Sequence, residues 1–575
     1  SAFKLRMNTC LHVLVLGHLV YVRSAPTRPE TVWLKDVTTR FQTDKRTVGD
    51  PDLPAQLMFH LRRGSDDLIL NLRRNYEIDP NADIYILQKR KVGRSILQKA
   101  TNLEREDVAY YQDRENGAYM TVRCVKRSNQ QCERVINGNL EIEDSSYDLQ
   151  AADTTDSSGR MLEIPDLIGK RYLLLNQNNF QLEPLVENKD ATNVIAPNVA
   201  EELKTLFGRF TGLEKQNHFS PPDSSGNVAN LRDREETDKT RQLKQDYYVK
   251  VAVLIDSGVW NLYSSREKTR DPLRRNDQVK KKIREAFSHI MNGVNLRYKS
   301  IEDPRISISV ILHSFVFFKS EDIFPHKYSK LVMINGTKHI DSYKYLYDLG
   351  MWDNYTSEHH PASFDHAMLF TRHELYNEKT GRLIRGKTYM NGVCVVSDRV
   401  SVIQMYHYAQ VVRTATHELG HNLGADHDGE GEAIACSPAD LFIMTPRPQR
   451  LSKHRPYIRN VWKFSNCSVE SFQKKLKTKD CVKTSGSEFN ISEWTMYMTK
   501  QAGDVFTPDE LCYLFYGPGT KFTGDMSKEI CHLLRCKDPA TGQYLKAYIN
   551  AARGTQCGDN KWCIEGKCVT KHSNN

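Results

Sequence analysis

Apolar and polar positions divide the chain into stretches of different rhythm. From Ala25 to about Gln245, pieces such as "DLILNLRRNYEI" and "RYLLLNQNNFQLEPL" are strand-like and are separated by polar turns, so this part is expected to be rich in β-structure. The run "PPDSSGNVANLRDREETDKTRQLKQD" is strongly polar and reads as an exposed linker. Past a boundary near Asp246 the pattern changes. "YYVKVAVLIDSGVW" has the signature of a buried strand. In "NDQVKKKIREAFSHIMNGVN", Asn276 or Asp277 can cap a helix whose Val279, Ile283, Phe287 and Ile290 make one apolar stripe. "RISISVILHSFVFF" and "FDHAMLFTRHEL" read as further strands, and "YHYAQVVRTATHELGHNLG" as a helix stopped by Gly424. Alternation of strand and helix predicts an α/β domain over residues 246–485. Residues 486–575 are turn-rich and cysteine-dense, which suggests a small disulfide-stapled module.

A length of 575 residues suits several domains rather than one core. The excess of 81 Lys and Arg over 71 Asp and Glu gives +10, mild for this length and no nucleic-acid signature. The apolar run Leu11 to Val22, too short to span a bilayer and followed by Ser24 and Ala25, has the layout of a signal peptide over residues 1–24, with Met7 as the expected true start. No later segment offers about 18 unbroken apolar residues, so no membrane span is expected and the mature chain is expected to be secreted. Without Cys10, twelve cysteines remain, an even number suited to an oxidising compartment, with Cys124 and Cys132 a local pair. Glycosylation sequons at Asn335, Asn354, Asn466 and Asn490 agree with export.

The candidate chemistry lies in "ATHELGHNLGADHDG". Residues four apart on a helix share a face, so His417 and His421 can present two imidazole nitrogens to one zinc ion. Glu418 beside them can take a proton from zinc-bound water without binding the metal. Gly424 can turn the chain so that His427 returns as a third ligand, leaving a fourth position for water and substrate. "CSPADLFIMTP" follows and puts Met444 in a turn 17 residues after His427. Three other patterns read as bland. "GRLIRGKT", Gly381 to Thr388, matches a phosphate loop but leads into the strand-like "YMNGVCVV" rather than a helix. "RHEL" lacks a second histidine, and His359 with His360 read as surface residues. Arg274, Arg275, Lys280, Lys281, Lys282 and Arg284 can bind sulfated glycans, although such a run is more often the solvated face of a helix.

At these residues the chain resembles the metzincin zinc proteases, and Asp428 directly after the third histidine points to their reprolysin branch of adamalysins, ADAMs and ADAMTS proteases. "FQLEPL" is similar to the ADAM-type propeptide and "GTQCGDNKWCIEGKC" to the disintegrin-like module of ADAMTS proteins. The general look is similar to that of salivary metalloproteases secreted by blood-feeding arthropods. The resemblance implies an α/β zincin domain with a mixed five-stranded sheet above the active-site helix, preceded by a β-rich propeptide over residues 25–245. It implies that Met444 forms a base under the zinc and that Asp428 anchors the segment behind His427. By the family pattern Cys394 pairs with Cys481 and Cys436 with Cys467. The ADAMTS module has eight cysteines where this tail has six, and the missing two are partners in the family, which leaves Cys512 with Cys536, Cys531 with Cys563 and Cys557 with Cys568.

The resemblance also implies a secreted zinc endopeptidase acting on extracellular matrix or plasma proteins, with Glu418 as general base. The rival is a secreted binding protein that uses the tail and keeps the protease only as scaffold; the intact ligand set and the lack of Arg-Gly-Asp in the tail weigh against it. Two departures stand out. The propeptide has no cysteine between Cys132 and the protease to latch the zinc, and the linker has no Arg-x-Lys/Arg-Arg cleavage signal. Reprolysins commonly hold calcium opposite the active site. Here Lys250 falls where a glutamate would be, Asp365 keeps the aspartate and Thr484 replaces an asparagine, so no calcium is expected there and Lys250 is expected to pair with Asp365.

Overall fold

The computed structural model describes most of residues 30–151, residues 170–176, most of 244–484 and parts of 507–570. The signal segment, "FQLEPL", most of the linker, His359, His360, Asn335 and Asn490 lie outside the described residues.

In the N-terminal region, apolar residues recur at every second position: Leu57, Phe59 and Leu61, then Leu70 and Leu72, then Met120 and Val122. Each strand therefore turns one side inwards. Strands β1 (Glu30–Asp36), β2 (Gln56–Arg63) and β3 (Asp66–Arg74) join β6 (Val108–Asp113), β7 (Ala118–Lys126), β8 (Cys132–Ile142), β9 (Ser145–Ala151) and β10 (Lys170–Asn176) in a closed barrel. The remaining pair, β4 (Ile78–Lys89) and β5 (Ser95–Lys99), leaves the barrel. Cys124 is disulfide-bonded to Cys132 between β7 and β8.

The central sheet runs, in order, β18 (Gly386–Thr388), β19 (Val400–Gln404), β15 (His366–Thr371), β11 (Gln245–Ile255), β12 (Ile306–Phe317), β4 and β5. Five of its strands lie beyond the boundary at Asp246 or start at it: β11, β12, β15, β18 and β19. They make a mixed sheet, parallel except for β18, which runs antiparallel to β19. The sheet then continues across the sequence boundary at Asp246, because β4 pairs in parallel with β12. A smaller sheet, β13 (Leu331–Ile334), β14 (Thr337–Asp341), β16 (Glu374–Asn377) and β17 (Arg382–Ile384), flanks it.

The helices are α1 (Ser257–Arg266), α2 (Pro272–Lys299), α3 (Ser342–Thr356), α4 (Tyr408–Asn422) and α5 (Asn466–Leu476), with Asp256, Asp271 and Ser465 capping α1, α2 and α5. Helix α2 starts earlier than Asn276: Asp271 accepts the Leu273 amide hydrogen and Pro272 supplies a first residue with a fixed φ. Its stripe Val279, Ile283, Phe287 and Ile290 is fully buried together with Val411, Ala415 and Leu419 of α4 on one face of the sheet. Leu346, Leu349 and Trp352 of α3 cover the other face.

"YMNGVCVV" is not a strand. The strand ends at Thr388, and Asn391, Cys394 and Ser397 take positive φ of 53°, 69° and 76°. Cys394 is bonded there to Cys481, and Asn422 Nδ2 donates to the carbonyls of Tyr389 and Asp398, which holds the turn. The other bridges are Cys436–Cys467 and, in the tail, Cys512–Cys536, Cys531–Cys563 and Cys557–Cys568. The tail's described residues form two three-stranded sheets. No helix among the described residues is long and apolar enough to cross a membrane.

Candidate metal centre

Helix α4 puts His417 and His421 one turn apart, and the chain then reverses at Gly424, whose φ of +105° is left-handed. His427 returns beside them. His421 Nε2 lies 3.1 Å from His417 Nε2 and 3.0 Å from His427 Nε2. The far side of each ring is tied down: His417 Nδ1 to Ile443 O at 2.7 Å, His421 Nδ1 to Ala425 O at 2.7 Å, and His427 Nδ1 to Glu430 Oε2 at 3.1 Å. A carbonyl or carboxylate oxygen only accepts, so each Nδ1 carries the proton and each Nε2 presents a lone pair. Three lone pairs facing one another repel unless a cation lies among them, and a neutral nitrogen set of this kind suits zinc. Burial pushes the His417 pKa well down and that of His421 down to about 4, with the neighbouring histidines adding to the effect. Both therefore stay neutral at ordinary pH, as a zinc site requires. Among the described residues the other three-ligand groups consist mainly of disulfide-bonded cysteines.

Glu418 is 7 % exposed, and burial raises its pKa to about 8, against the pull of Lys387. It lies against β18: a Cβ at Gly386 would sit 2.6 Å from Glu418 Cγ and Oε1. Gly386 and Lys387 belong to "GRLIRGKT", so the stretch set aside as a false phosphate loop forms the sheet edge beside the carboxylate. Beneath the helix Met444 is fully buried, and a Cβ on Gly420 would lie 2.6 Å from its sulfur. Asp428 is fully buried, accepts from Ser465 Oγ at the start of α5, and donates its amide hydrogen to Met444 O at 3.0 Å. These bonds hold the segment behind His427.

Three residues at the site, Asn422, His366 and Ser401, carried no earlier expectation. Asn422 Oδ1 is 2.9 Å from His366 Nδ1, and His366 Nε2 is 2.9 Å from Ser401 Oγ, so the end of α4 is bonded to β15 and β19. Only the asparagine inside "HNLG" hinted at this; its partners lie far away in sequence. His373 of "RHEL" is buried, 3.9 Å from Asp256. Lys250 Nζ is 3.7 Å from Asp365 Oδ1, and the Lys250 amide donates to Asp365 Oδ2 at 2.9 Å.

The basic cluster does not form one solvated face. Lys280 pairs with Asp277, Lys282 with Glu267, and Lys281 and the buried Arg284 with Glu106 of the N-terminal region. The sequon residues Asn354 and Asn466 are exposed.

Residues 270–483 match the model for the reprolysin (M12B) family zinc metalloproteases, and residues 502–569 match that for ADAMTS cysteine-rich domain 2. The chain carries a reprolysin-family metalloprotease domain. It is similar to a Bombyx mori protein named "A disintegrin and metalloproteinase with thrombospondin motifs like", 28% identical over 62% of this chain and 49% of that one. It is similar also to venom metalloproteinase 3 of Eulophus pennicornis, 25% identical over 48% of this chain and 62% of that one. To "A disintegrin and metalloproteinase with thrombospondin motifs 7" of Homo sapiens it is 30% identical over 38% of this chain and 12% of that one. The chain thus spans about half the length of the Bombyx mori relative, and less of the human one. The three histidines lie inside the stretch matched to the reprolysin family, whose members use zinc, and their grouping fits such a site.

Proposed function

We propose that residues 246–485 form a secreted zinc endopeptidase that cleaves extracellular proteins, with residues 25–245 as its pro-region and 486–575 as an accessory module. The observation that supports this most is the convergence of three imidazoles, with His421 Nε2 within 3.1 Å of both His417 Nε2 and His427 Nε2 and each ring fixed through its Nδ1. His417, His421 and His427 would hold the metal. A bound zinc ion supplies Lewis acidity toward the scissile carbonyl and acidifies water at the site. Glu418 accepts the proton of the attacking water and returns it to the leaving amine. Its carboxyl stands one residue from His417 and is buried, so bulk water does not compete for the proton. Asp428 and Met444 position ligands and touch no substrate.

The test is Glu418→Ala in the secreted, activated protein. Zinc content should stay at one ion per chain while hydrolysis of a denatured-protein substrate falls by roughly 10⁴-fold or more. Near-normal hydrolysis would remove Glu418 from the reaction. The substrates are proposed to be matrix or plasma proteins. A sulfated glycan at α2 would have to displace Asp277, Glu267 and Glu106 from their lysines.

The ammonium of Lys250 takes the structural place of a calcium ion beside Asp365. Millimolar calcium should then leave the melting temperature unchanged after zinc reloading; a rise, or calcium found on Asp365, would refute this.

A further inference from the structure

The N-terminal region meets the protease half along the edge of the sheet farthest from Glu418. Strand β4 pairs with β12 at Leu312↔Ile78, Ser314↔Asp83, Phe315↔Ile84, Val316↔Tyr85 and Phe317↔Ile86. It is packed on both faces: Ile78, Ala82 and Ile84 enter the cluster of Phe287 and Met291, while Tyr85 and Leu87 enter that of Leu254 and Trp352. A strand covered on both sides is an interior strand of the sheet, although it comes from the other half of the chain.

Polar groups beside it are paired across the same boundary. Asn75 Nδ2 donates to Asn292 Oδ1 at 2.8 Å, Gln112 Nε2 to Asn292 O at 2.9 Å, and Asn295 Nδ2 to Glu77 Oε2 at 2.6 Å. Glu77 Oε1 also holds Lys299 at 2.7 Å. Arg297, 4 % exposed, pairs with Glu141 at 3.0 Å, and Arg123 pairs with Glu285. Asn292 and Asn295 are fully buried, so separation would leave them and the arginines without these partners in whatever then covered α2. Tyr119 of the barrel reaches further. A Cβ at Gly293 would meet its ring at 2.9 Å and Val412 Cγ1 at 3.0 Å, so the ring lies at the back of α4, which carries His417 and His421.

We propose that the N-terminal barrel is a permanent partner of the protease half: when the chain is cut between Asn176 and Lys244, the barrel stays seated through β4 and α2 and supports the histidine-bearing helix from behind. An interface of paired buried amides and ion pairs with a shared apolar core has the character of an obligate assembly rather than a transient cover. The inference is independent of whether the site hydrolyses peptides.

The test is the full chain with a single site for a sequence-specific protease inserted after Ser224. After complete cleavage, verified on a denaturing gel, native light scattering at micromolar concentration should give one species with the mass of the uncut chain, and only denaturant should split it. Separation of the two pieces without denaturant overturns the proposal. Tyr119→Ala, altered only on the barrel side, should weaken the cut pair at least ~10-fold; unchanged association would show that this surface does not hold the pair. Hydrogen exchange of the uncut wild type gives an answer that no variant's folding can obscure. The Leu312 amide, which donates to Glu77 O at 2.9 Å, should exchange as slowly as those of β11, and fast exchange there refutes a seated barrel.

Discussion

The two ends of the central sheet handle buried polar groups in opposite ways. At the β18 end, Glu418 is buried with its carboxyl raised to about 8 and three imidazole lone pairs point at one another. At the β4 end, buried amides and carboxylates are matched to partners at 2.6–3.0 Å. Electrostatic strain concentrated at one end fits a place built to take up a cation and protons. The paired amides and carboxylates at the other fit a joint built to persist.

The sharpest break in that comparison is at the metal. His421→Ala should remove zinc and hydrolysis together, by roughly 10⁴-fold or more in rate, whereas Glu418→Ala removes only the rate; zinc analysis beside a peptide assay separates the two. Gly386→Val comes next. Its side chain would occupy the space of the Glu418 carboxyl, and a displacement of about 1 Å should lower kcat on the order of 10²-fold while zinc remains bound. At the other end, Asn292→Leu should remove the Oδ1 that accepts from both Asn75 and Gln112 and the Nδ2 that donates to the Tyr111 carbonyl, and lower stability by about 3 kcal/mol in urea unfolding, with the zinc site intact in the folded fraction.

His289 sharpens the same joint. It is bonded to Thr121 at 2.9 Å and Asn139 at 3.1 Å, and burial holds its pKa down at about 4 against the usual 6.5. The unfolded chain therefore binds more protons between pH 6.5 and 4, so the stability that neutral His289 contributes is present above 6.5 and is lost as pH falls through that window. The fall should amount to at most ~3 kcal/mol, and His289→Gln should flatten it in urea midpoints measured at successive pH values. Lys250→Met should give the smallest effect, about 1 kcal/mol, by leaving Asp365 with only its backbone bond.

Much of the β18 end was legible because its signal is local. The four-residue repeat of His417 and His421, the turn at Gly424 and the return of His427 all lie within one helix and its exit. The apolar stripe of α2 is equally local. What was hidden depends on contacts distant in sequence. Gly386 resembled part of a phosphate loop, because a glycine needed for a carboxylate 32 residues on looks no different from one needed for an anion. Lys281 and Arg284 looked like a solvated face, since their acid Glu106 belongs to the other half of the chain. "DLILNLRRNYEI" was readable as strand, but not as a barrel strand followed by the start of β4 in the protease sheet.

The β4–β12 pairing also sets an order of events during synthesis. Ile86 leaves the ribosome more than two hundred residues before its partner Phe317, a delay of roughly 10–45 s at ordinary elongation rates. The barrel's own pairings are largely short-range hairpins, which close far faster than that. It can therefore be complete while the protease half is still being made, offering a finished edge on which β12, and then β11, are laid down in register.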